Sequence, residues 1–203
     1  GVSFQVPYGT LHDYGRFLGR AHLLEHLMHV GTLKYPGYHT FDEQLLPAGV
    51  DSNASTWYHR TYYYASANQE KAELIVKVFL SMLGGLELSP EAVENERQVV
   101  INEIVDEGIP TQGDAFRQMP FTQLLPADHP WAMSLLGNRP SLEGLTKNDL
   151  QELYNQVYRP GIVKIAVHGN FSAPGSLDKI RTLIRDNVRA SSQQNGNAPK
   201  ITP

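Results

Sequence analysis

Polar and apolar residues alternate in some stretches of the chain and recur at helical spacing in others. Alternation predicts strands in VSFQVPYGT (2–10) and IVKIAVHGN (162–170), and a two-stranded hairpin in SNASTWYHRTYYYASAN (52–68). Helical spacing, with Gly and Pro at the ends, predicts helices at 14–30, 40–46, 69–85, 89–108, 146–158 and 176–188, and a looser helical stretch at 114–124. This mixture of strands and paired helices predicts an α+β fold, a two-layer sandwich with helices packed on a mainly antiparallel sheet.

Composition narrows the possible classes of protein. Hydrophobic residues make up 41% of the chain and charged residues 19%, which is typical of a globular domain. The net charge of −4 gives no indication of a nucleic-acid partner. No apolar run is long enough for a transmembrane segment. The absence of cysteine excludes disulfides, thiolate metal ligands and thiol nucleophiles.

The helix predicted at 14–30 contains the stretch AHLLEHLMHV (21–30), which is apolar on nearly every side. Its one polar stripe consists of His22, Glu25, His26 and His29. Buried His and Glu need partners, because an unpaired polar group costs several kcal/mol in an apolar interior. Two histidines one turn apart suit Zn²⁺, and a glutamate on the same face could act as a general base. Core or helix-end histidines remain the alternative at this point.

A second predicted helix, after Pro90, carries two carboxylates seven residues apart. Val93, Val100 and Ile104 form its apolar stripe, and Glu96 and Glu103 lie on the border of that stripe. A position beside buried side chains is unusual for carboxylates that only face solvent. These two glutamates therefore offer a third protein ligand for a metal held by the first helix.

Together these motifs resemble the inverzincin, or M16, metallopeptidases, whose signature is HxxEH. Here the signature is His22-Leu-Leu-Glu25-His26, and ENERQVVINE (94–103) resembles the acidic helix of the family. GTLKYP (31–36), NASTWYHRTYYY (53–64) and LTKNDLQELYNQVYRPGIVKIAVHGN (145–170) are also similar to family segments.

The resemblance implies a zinc endopeptidase that acts on peptides or small unfolded proteins. It implies that His22, His26 and Glu103 bind Zn²⁺, and that Glu96 supports the site from outside the ligand set. A zinc-bound water would then attack the peptide bond, with Glu25 as its general base. Asn53 and Ala54 correspond to the edge strand that binds extended substrate. His29 is expected to form a wall of the pocket rather than a fourth ligand.

The resemblance also implies a domain organisation. Residues 1–190 correspond to the catalytic domain, with its first strand missing, and residues 191–203 to a polar tail or linker toward a second domain or partner subunit of similar fold. No nucleic-acid partner or particular compartment is indicated.

Two other functions remain open from the sequence. A non-catalytic member of the family could serve as a scaffold or binding subunit, although such members usually lose motif residues that this chain retains. A different metal hydrolase or lyase could also use HxxEH. Among these, an autoinducer synthase of related fold is disfavoured, because it needs a cysteine ligand.

Overall fold

The secondary structure is an antiparallel sheet covered by helices. The computed structural model describes residues 1–37, 39–86, 88–106, 124–126, 129–132, 134–159 and 161–194. Within these residues the strands are β1 (Val2–Val6), β2 (Asp51–Thr56), β3 (Thr61–Ser66) and β4 (Lys164–Val167). The α-helices are α1 (Arg20–Val30), α2 (Thr40–Leu45), α3 (Ala72–Ser81), α4 (Pro90–Asp106), α5 (Arg139–Gly144), α6 (Lys147–Val157) and α7 (Ser176–Gln194).

The four strands form one sheet in the order β2-β3-β1-β4, and every neighbouring pair is antiparallel. In β1 the residues alternate between buried and half-buried, which places one face of the strand on the core. Among the described residues β2 pairs with β3 alone, so its other side is a sheet edge. The structure confirms the predicted α+β class. Strand β2 is an edge strand of the sheet within the described residues.

The core lies between the sheet and the helices. Phe4 and Tyr63 extend from adjacent strands to α1 and α3, and both are fully buried. The Tyr63 hydroxyl lies 2.6 Å from that of Tyr158, directly after α6. Burial of such large side chains is the main source of stability in a fold of this kind. In the part of the chain that is described, no helix combines the length and apolar character that crossing a membrane requires.

Several helix ends differ from the sequence-based prediction. The first helix begins at Arg20 rather than near Tyr14, because Gly19 is left-handed (φ 87°). Any larger residue there would be strained, and its Cβ would lie 2.8 Å from the Leu136 carbonyl oxygen. The last helix continues to Gln194, beyond the predicted end at 188.

One helix was not predicted at all. Helix α5 has six residues, too few for a clear apolar period. Its sequence signals are Asn138, whose side chain accepts a hydrogen bond from the Ser141 amide, and Pro140 in the first turn. The looser helical stretch predicted at 114–124 lies outside the described residues except for Leu124.

Candidate metal centre and active site

Helix α1 holds the polar stripe of the sequence motif inside the protein. His22 and Glu25 are buried, and His26 is half-buried. The N-cap residue of the helix is Gly19, which has no side chain to accept a hydrogen bond from the first turn. Instead, the fully buried carboxylate of Asp13 accepts a hydrogen bond from the Ala21 amide at 2.7 Å. This contact fixes the start of the helix directly beside His22.

Helix α4 brings a carboxylate to the two histidines. The Nε2 atoms of His22 and His26 are 3.2 Å apart. The carboxylate oxygens of Glu103 lie 3.6 Å from each of them, Oε2 from His22 and Oε1 from His26. These three side chains offer ligand atoms that all lie within 4.8 Å of one another. The residues predicted as metal ligands therefore converge on one point.

The spacing of these atoms fits a tetrahedral ion. With metal–ligand bonds of about 2.0–2.1 Å, neighbouring ligand atoms of a tetrahedral zinc are separated by about 3.3 Å. The separation of 3.2 Å between the two imidazole nitrogens is close to that value, and each nitrogen lies 3.6 Å from a different oxygen of Glu103. Two imidazoles and a carboxylate are also the donor types that Zn²⁺ accepts. The described residues thus fit a zinc ion, with a fourth position left for water or substrate.

Glu96, two turns before Glu103 on α4, orients His26. Its Oε2 lies 3.2 Å from His26 Nδ1, and the Glu96 side chain is buried. A carboxylate can only accept here, so Nδ1 carries the hydrogen and Nε2 of the neutral ring presents its lone pair to the cluster.

Burial and neighbouring charges shift the pKa values of the two histidines in opposite directions. Burial and the adjacent His26 lower the pKa of His22 to about 3. Burial also opposes charge on His26, but the bond to Glu96 and the charges of Glu103 and Glu25 outweigh it and raise the pKa of His26. His22 is consequently neutral at neutral pH, as a metal ligand must be.

Glu25 lies on the same face but outside the ligand cluster. Burial raises the pKa of Glu25, while a hydrogen bond from Thr56 and the nearby His26 and His29 act in the opposite direction. The Thr56 hydroxyl donates to Glu25 Oε2 at 2.5 Å. A carboxyl group with a raised pKa next to a metal site is suited to accept and return a proton.

The cluster opens into a cleft of about 480 Å³. Asn53 and Ala54 of the edge strand β2, to which the family resemblance assigns substrate binding, line it. His29 also lines the cleft, with its Nδ1 3.5 Å from Asp42 Oδ1, and it is not a member of the metal-ligand cluster.

Sequence analysis missed several residues of this site. Asp42, His39 and Val99 line the cleft, and Thr56 contacts Glu25. His39 has a left-handed backbone (φ 63°), which is uncommon for a residue other than glycine and for which no sequence signal stood out. Val99 is 40% exposed although it lies next to the apolar stripe of α4. This exposure depends on how α4 packs against the rest of the fold, which the local sequence pattern does not contain.

An α+β domain whose HxxEH helix faces a glutamate from a second helix defines the inverzincin class of metallopeptidases. Comparisons with known proteins agree. The family model described as "Insulinase (Peptidase family M16)" matches residues 1–108. The chain belongs to the M16 peptidase family.

Individual relatives and structures support this membership. The chain is 31% identical over 84% of its length to a probable mitochondrial-processing peptidase subunit beta of Schizosaccharomyces pombe. It is 27% identical over 91% of its length to an uncharacterized zinc protease, ML0855, of Mycobacterium leprae. The crystal structure of the first half of the periplasmic protease PqqL from Escherichia coli covers all of this chain with a TM-score of 0.80 at 22% identity, which shows a shared fold.

The chain spans only part of each of these proteins. It covers 37% of the S. pombe protein, 40% of the M. leprae protein and 43% of the PqqL half.

Proposed function

We propose that this chain is the catalytic domain of a zinc-dependent endopeptidase that hydrolyses peptides or small unfolded proteins. The observation that carries the proposal is the convergence of His22, His26 and Glu103, whose ligand atoms lie within 4.8 Å of one another, beside a buried glutamate. When bound, Zn²⁺ would lower the pKa of a coordinated water and polarise the scissile carbonyl group.

The protein's own residues would divide the remaining work. His22, His26 and Glu103 hold the ion, and Glu96 keeps His26 in the tautomer that binds it. Glu25 accepts a proton from the attacking water and delivers it to the leaving amine. Its burial near the cluster supports that role, because a desolvated carboxylate is a stronger base than an exposed one.

Strand β2 would bind the substrate. Along the edge where β2 has no neighbouring strand among the described residues, its backbone can pair with an extended peptide, and Asn53 and Ala54 line the cleft. The Ala54 amide donates to Asn53 Oδ1 at 2.7 Å in the structure. Such pairing forms hydrogen bonds with the substrate backbone rather than with its side chains, and it requires an extended segment. It therefore favours peptides and unfolded chains over folded proteins.

The test of this function is zinc content measured with peptide hydrolysis in the same samples. We expect one zinc per chain, hydrolysis of an unstructured fluorogenic peptide, and loss of that activity on chelation with recovery on adding zinc. Glu103→Gln should bind much less zinc, and Glu91→Gln, on the exposed side of the same helix, is the matched control. Equal zinc in wild type and Glu103→Gln would contradict the proposed ligand set.

A non-catalytic scaffold or binding subunit is the second candidate from the sequence. Nothing in the site favours it, since every motif residue is present and positioned in the cleft. Zinc binding without any hydrolysis by the whole protein would support it.

A further inference from the structure

The last hydroxyl of strand β2 contacts Glu25. Thr56 Oγ1 donates to Glu25 Oε2 at 2.5 Å, and the glutamate side chain is buried. A hydrogen bond from a hydroxyl to an ionised carboxylate is charge-assisted and about twice as strong as one between neutral groups.

Thr56 lies against the facing residue of the hairpin. Thr61 lies directly opposite it in the register of β2 and β3, and their hydroxyl oxygens are 3.3 Å apart. Thr61 is buried and donates its proton to the Tyr8 carbonyl oxygen at 3.0 Å. Since each hydroxyl has one proton to donate, the Thr61 proton serves Tyr8 and the Thr56 proton serves Glu25.

Tyr8 also contacts the first residue of helix α1. The Tyr8 hydroxyl accepts a hydrogen bond from Arg20 Nη2 at 2.7 Å, and Arg20 is the first residue of that helix. Helix α1 is therefore connected to the hairpin in two places, from Arg20 through Tyr8 to Thr61 and from Glu25 to Thr56. These hydrogen bonds link the orientation of the helix to the end of the substrate-binding hairpin.

We propose that Thr56 is a positioning residue for the peptidase reaction. Its hydroxyl holds the Glu25 carboxylate in one rotamer and leaves the second oxygen, Oε1, for proton transfer. The pairing of β2 with β3 holds the backbone of Thr56 in place. The inference rests on the proposed function of Glu25. It adds that Thr56 sets the orientation of the Glu25 carboxylate.

The energetic reason is the sensitivity of catalysis to position. Displacement of a catalytic group by about 1 Å can cost about 100-fold in rate. A glutamate has three rotatable bonds, and a single strong hydrogen bond to a rigid strand end removes most of that freedom.

The experiment compares Thr56→Val, Thr56→Ser and Thr10→Val in the whole natural protein. Valine has the shape of threonine without the hydroxyl, and serine keeps the hydroxyl. Thr10 is the matched control, because it is buried and its hydroxyl has no hydrogen-bond partner among the described residues.

We expect Thr56→Val to lower kcat about 10- to 100-fold, with KM and zinc content unchanged. Thr56→Ser should recover most of that loss, and Thr10→Val should behave as wild type. In the metal-free protein, the infrared carboxylate band identified by its disappearance in Glu25→Gln should shift in Thr56→Val and not in Thr10→Val.

Wild-type kcat in Thr56→Val, or equal losses in the valine and serine variants, would overturn the proposal. A lower kcat that is matched by lost zinc would overturn it as well, since that result assigns Thr56 a purely structural role. If Glu25→Gln retains wild-type activity, the proposed function fails instead, while the infrared shift still reports whether Thr56 holds Glu25.

Discussion

At the scale of single residues, Glu96 differs from the exposed carboxylates of α4 because it is buried against His26 Nδ1. We predict that Glu96→Gln weakens zinc affinity or activity about 10- to 100-fold, less than the loss of a direct ligand, since it disturbs the orientation of His26 and not the ligand itself. Competitive titration with a chromophoric chelator measures the affinity. Glu91→Gln should leave it unchanged, and a wild-type affinity in Glu96→Gln would remove Glu96 from the site.

The same scale shows what a sequence can reveal about a site. His22, Glu25 and His26 could be placed on one face because helical periodicity is a local property. Periodicity marked both Glu96 and Glu103 as candidate ligands, but the choice of Glu103 came only from the family resemblance, since no periodicity relates two helices distant in the chain. The bond between Thr56 and Glu25 joins a strand end to a helix 31 residues away, and neither local pattern contains it.

At the scale of elements, Arg97 joins α4 to α5. It is buried, and its guanidinium donates to the carbonyl oxygens of Leu142 and Leu145 at the end of α5. A cation suits the C-terminus of a helix, where carbonyl groups lack partners within the helix.

We predict that Arg97→Met lowers the free energy of unfolding by about 2–4 kcal/mol, because two hydrogen bonds from a buried charged group are lost. The Leu142 carbonyl keeps a bond from the Leu145 amide, whereas the Leu145 carbonyl loses its bond from Arg97. Urea denaturation measures this change. Arg139→Met breaks an exposed pair with Glu143 and should cost less than about 1 kcal/mol. Similar costs for the two variants would contradict the role given to Arg97.

Asp149 anchors the start of α6 in a pH-dependent way. It caps the helix with Thr146 and accepts two hydrogen bonds from Arg16, which hold its pKa below the ordinary value of 3.8. The unfolded chain therefore binds a proton more readily, so stability from this group is present above pH 3.8 and is lost as the pH falls toward the lower folded pKa.

We predict that the stability difference between wild type and Asp149→Asn is largest at neutral pH and shrinks below pH 3.8. Urea unfolding at a series of pH values measures it. Asp178→Asn, at a side chain that is 81% exposed, should follow the wild-type curve closely. A difference between wild type and Asp149→Asn that stays constant through the acid range would contradict the account.

Element types were more predictable than element ends. The predicted strands and longer helices correspond to those observed, because each has several periods of alternating or helical pattern. The start of α1 depends on a close approach between Gly19 and Gly137 and on a cap from Asp13 eight residues before the bonded amide. These contacts depend on the folded structure, so the apolar periodicity alone predicted a helix that begins too early.

At the scale of the whole molecule, the cleft is lined by residues of α1, α4 and β2, and the chain spans less than half of the relatives described above. We propose that a second domain or partner subunit of similar fold supplies the facing wall. This chain alone should then fold, bind zinc and cleave peptides feebly, since the substrate is held from one side. Comparable kcat/KM for this chain and the whole protein, on one unstructured peptide, would show that the cleft holds substrate without help.

The central claim is that Glu25 supplies the general base while other residues hold the metal. Its most direct test measures zinc content and peptide hydrolysis together in Glu25→Gln of the whole protein. Glutamine keeps the size of the side chain and can still bond to Thr56, but it cannot accept the proton. The account predicts wild-type zinc content with activity reduced by at least about 1000-fold. Hydrolysis near the wild-type rate with full zinc would contradict it.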